Sequence, residues 1–283
     1  MSALILDGRE VAKMLLAEIQ PRVRSLDPKL VVVQVGDDAG SASYIAQKMK
    51  SSEAIGMRHA HIHLAPDTSR ADLFNLIHEL NDDADVTGFI VQLPLPEHLR
   101  KDVDAVIETI DPLKDVDGFG PANLGNVLLS KDRERLPPAT PSGIIEMLRH
   151  YAIPVEGKRA VIVGKSNLVG KPMALMLLNR GATVTVCHSK TADLGAMTRQ
   201  ADILIVAAGK PGLITKDMVK PGVVVIDVGM NRVNGKLCGD TDFEGLKEVA
   251  SAITPVPGGV GPLTVASLIR NCVHAKERQI ALS

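Results

Sequence analysis

Ser41, Tyr44 and Lys48 stand at i, i+3 and i+7 in a stretch that reads as the opening of a helix. That spacing puts a hydroxyl, a flat ring and an amine on one helical face. A ring can stack on a flat ligand, and an amine one turn away can move a proton. Aromatic side chains are scarce here, with no Trp, two Tyr and four Phe in 283 residues. A core that hardly uses rings makes the position of each Tyr informative. A surface helix with a half-packed Tyr and a solvated Lys has the same pattern, since Lys is almost never fully buried without a partner.

Other residues could share a site with this face. Gln92 closes an apolar run, between Val91 and Leu93 in VQLPLP at 91–96, where a buried amide needs partners. Asp115 and Asp117 lie in KDVDG at 114–118, and turn formation alone would account for both. The turn PVPGGVGP at 255–262, with Pro257, Gly258 and Gly259, is too elaborate for a simple connector and reads as a rigid wall facing a ligand or as an Ω-like turn. His59, His61 and His63 alternate along one strand but have no Cys or carboxylate to complete a metal set, so no metal is expected.

A second cluster reads as a nucleotide site. Gly164-Lys165-Ser166-Asn167-Leu168-Val169-Gly170 follows a strand and opens a helix, the context of a phosphate-binding turn. Ser166 and Val169 stand where two of the usual glycines would be. The next strand ends in His188-Ser189-Lys190-Thr191 rather than in the carboxylate that accepts from the ribose 2′-hydroxyl of NAD. Hydroxyls and cations there, with Lys165, suit a 2′-phosphate and favour NADP. Gly-rich turns at 208–212 and 227–231 end two further strands, where ligands of open parallel sheets sit.

The elements that must position these groups alternate along the chain. Strand patterns at 30–35, 57–64 and 87–93 are separated by a helical pattern that carries Tyr44 and Lys48 up to Gly56 and by others at 69–82 and 98–109. Residues 111–141 break the rhythm and read as a long loop with a domain crossing. A second series of strands and helices runs from 158 to 254 and ends in a helix at 263–278. The fold class expected is α/β with two domains, over 1–141 and 142–262, a cleft between them, and a final helix at about 263–283 that packs back on the first. Lys and Arg number 32 against 33 Asp and Glu, a net charge of −1, so nothing points to nucleic acid or to a membrane surface. There is no secretory leader pattern, and the three isolated cysteines suit a reducing compartment, so a cytoplasmic protein is expected.

Taken in order, these motifs resemble the bifunctional methylenetetrahydrofolate dehydrogenase/methenyltetrahydrofolate cyclohydrolases. The resemblance rests on Ser41-x-x-Tyr44-x-x-x-Lys48, VQLPLP, KDVDGF at 114–119, TPSG at 140–143, VIVGKSNLVGKP at 161–172, HSKT at 188–191, VIDVGMN at 225–231 and TPVPGGVGPLT at 254–264. It implies a parallel-sheet catalytic domain and a Rossmann-like NADP domain. It also implies oxidation of 5,10-methylenetetrahydrofolate with NADP, then hydrolysis of the methenyl product to 10-formyltetrahydrofolate, in a homodimer. By the same resemblance Tyr44 stacks on the folate, Lys48 is the general acid/base, Gln92 tunes Lys48, and Asp115 hydrogen-bonds the pterin edge. Val91, Leu93, Pro257, Gly258 and Gly259 complete the substrate contacts, and Thr140, Gly164, Lys165, Ser166, Ser189, Met230 and Thr264 those to NADP.

The sequence departs from the family pattern in places. Gly120 stands where a His is common, which would remove a hydrogen bond or proton carrier on the loop facing the pterin. Lys165 replaces a common Arg, keeping charge but losing bidentate geometry. A dehydrogenase with a weak hydrolase step, or a non-catalytic NADP- or folate-binding module, would share many of the same motifs. Following methenyl absorbance separates the first, and the joint presence of Tyr44, Lys48, Gln92 and Asp115 argues against the second.

Overall fold

Apolar runs too short for helices and bounded by turn residues form strands here, and the segments between them wind into helices. The computed structural model describes residues 2–282, the side chain of Ala39 apart. The elements begin with strand β1 (Leu4–Ile5), helix α1 (Gly8–Leu26), β2 (Lys29–Val35), α2 (Ala39–Ala54), β3 (Arg58–Leu64), α3 (Arg70–Asp82) and β4 (Gly88–Val91). They continue through α4 (Val103–Thr109), α5 (Pro121–Leu129), α6 (Ala139–His150), β5 (Arg159–Val163), α7 (Gly170–Leu178), β6 (Thr183–Cys187), α8 (Leu194–Thr198) and β7 (Ile203–Val206). Last come β8 (Val224–Asp227), β9 (Asn231–Val233), β10 (Lys236–Cys238), α9 (Phe243–Lys247), β11 (Ala252–Ile253) and α10 (Val260–Leu282).

The contacts divide the chain into two units. The first holds Met14–Asn126, Glu134–Ala139 and the chain from Val265 on. Its sheet has the order β3-β2-β4, all parallel. Alternation along the central β2 sends Leu30 and Val32 into one apolar cluster and Val31, Val33 and Val35 into another. The first cluster also holds Ile19 and Val23 of α1 and Val265, Leu268, Ile269 and Cys272 of α10. The second holds Leu73, Ile77 and Leu80 of α3 and Val106 of α4. A sheet covered on both faces needs this near-continuous apolar run in its central strand.

The second unit holds the chain up to Lys13, Val127–Arg133 and Thr140–Thr264. Its six strands are parallel, in the order β1-β11-β8-β7-β5-β6. β5 pairs with β6 on one side and β7 on the other, so the strand order reverses there. Ligands of such sheets bind at the carboxyl ends beside that reversal.

This division differs from the expected one at 141/142. The N-terminal segment joins the second unit because β1 pairs in parallel with β11, and the Tyr151 hydroxyl accepts from the Asp7 amide at 2.9 Å. The stretch at 111–141 is not all loop either. Pro121 opens α5, where its missing N–H costs nothing, and α6 already begins at Ala139. The hairpin of β9 and β10 was not legible, since its strands are three residues each.

Candidate functional site

Helix α2 starts where the Asp38 carboxylate accepts from the Ser41 amide at 2.8 Å, an N-cap. Ser41 is therefore committed to the helix start, and its hydroxyl donates to Asp38 Oδ2 at 2.9 Å. Two turns on, Lys48 is only 5% exposed. Its amine donates to Gln92 Oε1 at 2.8 Å, and the Gln92 amide donates in turn to the Leu93 carbonyl at 2.8 Å. Gln92 reaches this place because it follows β4, with its backbone N–H on the Val33 carbonyl at 2.8 Å. A neutral amide oxygen orients the amine without forcing it to stay charged. Burial pushes the Lys48 pKa down, and the negative charge of Asp117 opposes that shift. Tyr44 is half-buried one turn away, with burial raising its hydroxyl pKa.

The KDVDG loop separates its two acids. Asp115 is 2% exposed, and four donors surround its carboxylate. Oδ1 accepts from the Gly118 amide at 2.9 Å and the Phe119 amide at 3.4 Å. Oδ2 accepts from the Gly120 amide at 2.8 Å and Asn123 Nδ2 at 3.0 Å. Asp115 thus closes the loop on itself, which no spacing in the sequence distinguishes from a ligand contact. Lys114 anchors the same loop, its buried amine donating to the Leu80 and Asp83 carbonyls at 2.9 and 2.7 Å, at the end of α3. Asp117 is the acid that couples to Lys48. Burial raises its carboxyl to about 6, against the lowering effect of Lys48, and Asp115 adds to the rise. Sequence reasoning assigned Asp117 to turn formation. The signal that could have found it is the alternate spacing of two acids, where one can hold the loop and the other is left for chemistry.

Gly120 lies against the carboxylate of its own loop. A Cβ there would lie 2.9 Å from Asp115 Oδ2, so a side chain crowds the carboxylate that the Gly120 amide now holds. The three histidines of β3 also have structural partners: the Met57 carbonyl for His59, Gln34 for His61 and the Gly36 carbonyl for His63. No cluster of metal-ligating side chains is found among the described residues.

In the second unit, Gly164 ends β5 with φ +129°. A Cβ at Gly164 would overlap the Ala207 carbonyl, and one at Gly170 the Gly164 carbonyl. These glycines let the turn close on itself. Ser166 supplies the cap that α7 otherwise lacks, its hydroxyl accepting from the Val169 and Gly170 amides at 3.1 and 3.3 Å. A cavity of about 550 Å³ opens at this turn, bordered by Gly164, Lys165, Ser166, Ser189, Thr191 and Lys210 among others. Its lining contains cations and hydroxyls and no carboxylate among the described residues. Asp240 shapes the adjoining turn, accepting from the Ala208 and Gly209 amides at 2.6 and 2.9 Å.

The remaining predicted residues form separate groups. The Thr140 and Thr264 hydroxyls meet at 2.9 Å, and the Met230 side chain lies beside Gly261. Neither Thr nor Met230 borders the cavity. Pro257 is exposed, while Gly258 and Gly259 are buried in a turn against the start of α1. The Gly8 amide donates to the Gly258 carbonyl at 2.9 Å. These three belong to the second unit, whereas Tyr44, Lys48, Val91, Gln92, Leu93, Asp115 and Asp117 belong to the first.

A parallel nucleotide-type sheet with a glycine turn at the end of β5, and a separate unit in which Gln92 holds a buried Lys48, define a two-domain α/β protein of the dehydrogenase class. Residues 6–117 match the tetrahydrofolate dehydrogenase/cyclohydrolase catalytic domain, and residues 138–280 match the NAD(P)-binding domain of the same family. The chain belongs to the tetrahydrofolate dehydrogenase/cyclohydrolase family. It is 50% identical to the bifunctional protein FolD of Exiguobacterium sibiricum over 96% of this chain and 99% of that one. With the FolD of Burkholderia lata it shares 51% over 98% of each. Among solved structures, the FolD dehydrogenase/cyclohydrolase of Campylobacter jejuni is 45% identical with a TM-score of 0.92, over 98% of this chain and 100% of that one. The Trypanosoma brucei enzyme, solved with NADP cofactor and inhibitor, is 35% identical with a TM-score of 0.93 over 99% of each.

Proposed function

We propose that this chain oxidises 5,10-methylenetetrahydrofolate with NADP⁺ and hydrolyses the methenyl product to 10-formyltetrahydrofolate, with Lys48 as the proton-transfer group of the hydrolysis. The observation that carries this reading is the buried Lys48 amine, held by Gln92 and faced by the charge of Asp117. NADP⁺, when bound, supplies the hydride acceptor, and the residues present fit it. Gly164 lets backbone approach a phosphate, while Lys165 and Ser189 offer a cation and a hydroxyl to the 2′-phosphate. Thr140, Met230 and Thr264 are assigned to the same cofactor.

Tyr44 offers its ring to the pterin, and Val91 and Leu93 flank it. In the second reaction water adds to the methenyl carbon, and the neutral Lys48 amine takes a proton from it. The bond from that carbon to N5 then breaks, N5 receives a proton, and a second water proton leaves to solvent as the formyl C=O forms. A cationic methenyl ligand disfavours a charged Lys48, so the substrate itself favours the basic form. Asp117 takes the pterin-edge role that the sequence assigned to Asp115, because Asp115 already accepts four hydrogen bonds within its loop. Pro257, Gly258 and Gly259 are assigned as a wall for the substrate.

The test is absorbance over time with purified protein, methylenetetrahydrofolate, and NADP⁺ or NAD⁺ in parallel. NADPH should rise with no accumulation of methenyl species. Persistent methenyl absorbance would leave only the dehydrogenase, and no NADPH would end the proposal. On the same reading the enzyme is a cytoplasmic homodimer that binds tetrahydrofolate derivatives and no nucleic acid. Light scattering of the purified chain tests the dimer. No helix among the described residues is long and apolar enough to cross a membrane.

A further inference from the structure

We propose that Asn271, on the C-terminal helix α10, is a positioning residue for Asp117: its buried side-chain amide clamps the two chain segments that hold the Asp117 backbone. The proposal rests on the reading that Lys48 and Asp117 act on the folate.

Asn271 is fully buried. Its Nδ2 donates to the Val116 carbonyl at 2.9 Å and to the Pro137 carbonyl at 2.8 Å. An amide has two N–H groups, so both are used and the side chain cannot rotate without losing one. The Val116 carbonyl belongs to the same planar peptide unit as the Asp117 nitrogen and Cα. Holding that oxygen fixes the plane from which the Asp117 side chain departs. The other side of Asp117 is held as well, since its own carbonyl accepts from the Ala139 amide at 3.1 Å. Pro137, two residues before that donor, is the other segment that Asn271 grips. Gly118 completes the contact, because a Cβ there would lie 2.6 Å from the Leu136 carbonyl.

The acceptor of the same side chain argues for a role beyond packing. Asn271 Oδ1 is buried and has no hydrogen-bond partner. Most buried polar atoms are paired, so an Asn with an orphan oxygen is a costly choice for a helix core. Its two donors account for it: an apolar residue there would leave the Val116 and Pro137 carbonyls without these bonds. Gln279, two turns further along α10, repeats the device. Its Nε2 donates to the Thr87 carbonyl at 2.8 Å and the Leu113 carbonyl at 3.2 Å. Leu113 precedes Lys114 and Asp115, so α10 holds the acidic loop at its start and at Val116.

The test compares Asn271→Ala, Gln279→Met and Val273→Ala in the full chain. Val273 is a fully buried neighbour on α10 in the same apolar cluster as Val116 and Ala139, and its side chain has no hydrogen-bonding group with which to hold either carbonyl. Hydrolysis of methenyltetrahydrofolate is followed by absorbance across pH, beside NADP⁺-dependent oxidation and thermal melting. The titratable groups that face Asp117 are Lys48 from α2 and Asp115 from its own loop. Asn271→Ala should lower the hydrolytic kcat about 10-fold, since small misplacements of a reacting group cost this much or more. It should also move the acid limb of the pH profile, with the KM for NADP⁺ within about twofold of wild type. Val273→Ala should melt earlier and keep the wild-type profile. Equal profiles and kcat values for the two variants would overturn the proposal. If Asn271→Ala does not fold, Gln279→Met decides, with a roughly threefold loss and a shifted profile expected and an unshifted profile overturning it. Inactivity of the wild-type chain on both folates would instead count against the proposed function.

Discussion

The Lys48 amine and the Gln92 amide oxygen meet at 2.8 Å, in a place where Lys48 is 5% exposed. An amine bonded to a neutral acceptor can lose its proton more readily than one bonded to a carboxylate, and Asp117 acts on it through its charge. The pair therefore holds a buried lysine whose pKa lies below the ordinary lysine value.

Replacing Lys48 by Met keeps the buried volume and removes the proton carrier. Hydrolysis of the methenyl ligand should fall by about 10²-fold or more, while part of the hydride transfer survives. The two rates are measured separately, by loss of methenyl absorbance and by NADPH formation. Equal loss of both in a folded variant would remove the dedicated role of Lys48.

Gln92→Glu places a carboxylate on the amine. A negative partner favours the charged form, so the Lys48 pKa rises and the hydrolytic step should need a higher pH. The pH profile of methenyl hydrolysis should move to the alkaline side. A profile displaced to lower pH would contradict this geometry.

The two loop acids should respond differently to amidation. Asp115→Asn turns one accepting oxygen into a donor facing backbone amides, at a cost on the order of 3 kcal/mol in stability. Asp117→Asn should melt no lower than wild type at neutral pH, where the charged form is the disfavoured one, and lose folate turnover. Thermal melting beside kinetics separates them. An Asp117→Asn protein as active as wild type would return the catalytic assignment to Asp115.

Asp117 should titrate at about 6 rather than at the ordinary 3.8. Between those two values the folded chain keeps a proton that the unfolded chain has released. The stability contributed by this group is then fully present below 3.8 and is lost as pH rises through about 6. A carboxyl-carbon NMR titration measures the midpoint. In Lys48→Met it should move higher still, because the lysine charge lowers it.

Lys165→Ala should raise the KM for NADP⁺ about 10-fold and leave that for NAD⁺ nearly unchanged, as expected for one charge-assisted bond to a 2′-phosphate. Gly164→Ala should weaken both cofactors alike, because φ +129° and the Ala207 carbonyl leave no room for a Cβ. Kinetics with each cofactor distinguish the two effects.

Local pattern made much of this molecule legible. The run Leu30–Val35 read as a buried parallel strand and is the centre of its sheet, because a strand covered on both faces must be apolar throughout. Gly164 through Gly170 read as a turn from strand into helix, and β5 and α7 flank it, since strand, glycine and helix start lie within one short stretch of chain. The helical spacing put Tyr44 and Lys48 on one face. What spacing left open was burial: Lys48 and a solvated surface lysine look alike in sequence, and the Gln92 that distinguishes them is 44 residues away. The same holds for Asp115 and Asp117, two identical side chains in one short motif. Only the fold gives Asp115 its four donors and brings the charge of Asp117 to bear on Lys48. It also brings Asn271 to Val116 across 155 residues. Local pattern sufficed for the long elements, the chemistry available and the family, but not for α5 or the short hairpin of β9 and β10. The tertiary structure decided which of those groups are buried, paired or left poised, because burial and pairing depend on neighbours that are distant in the chain.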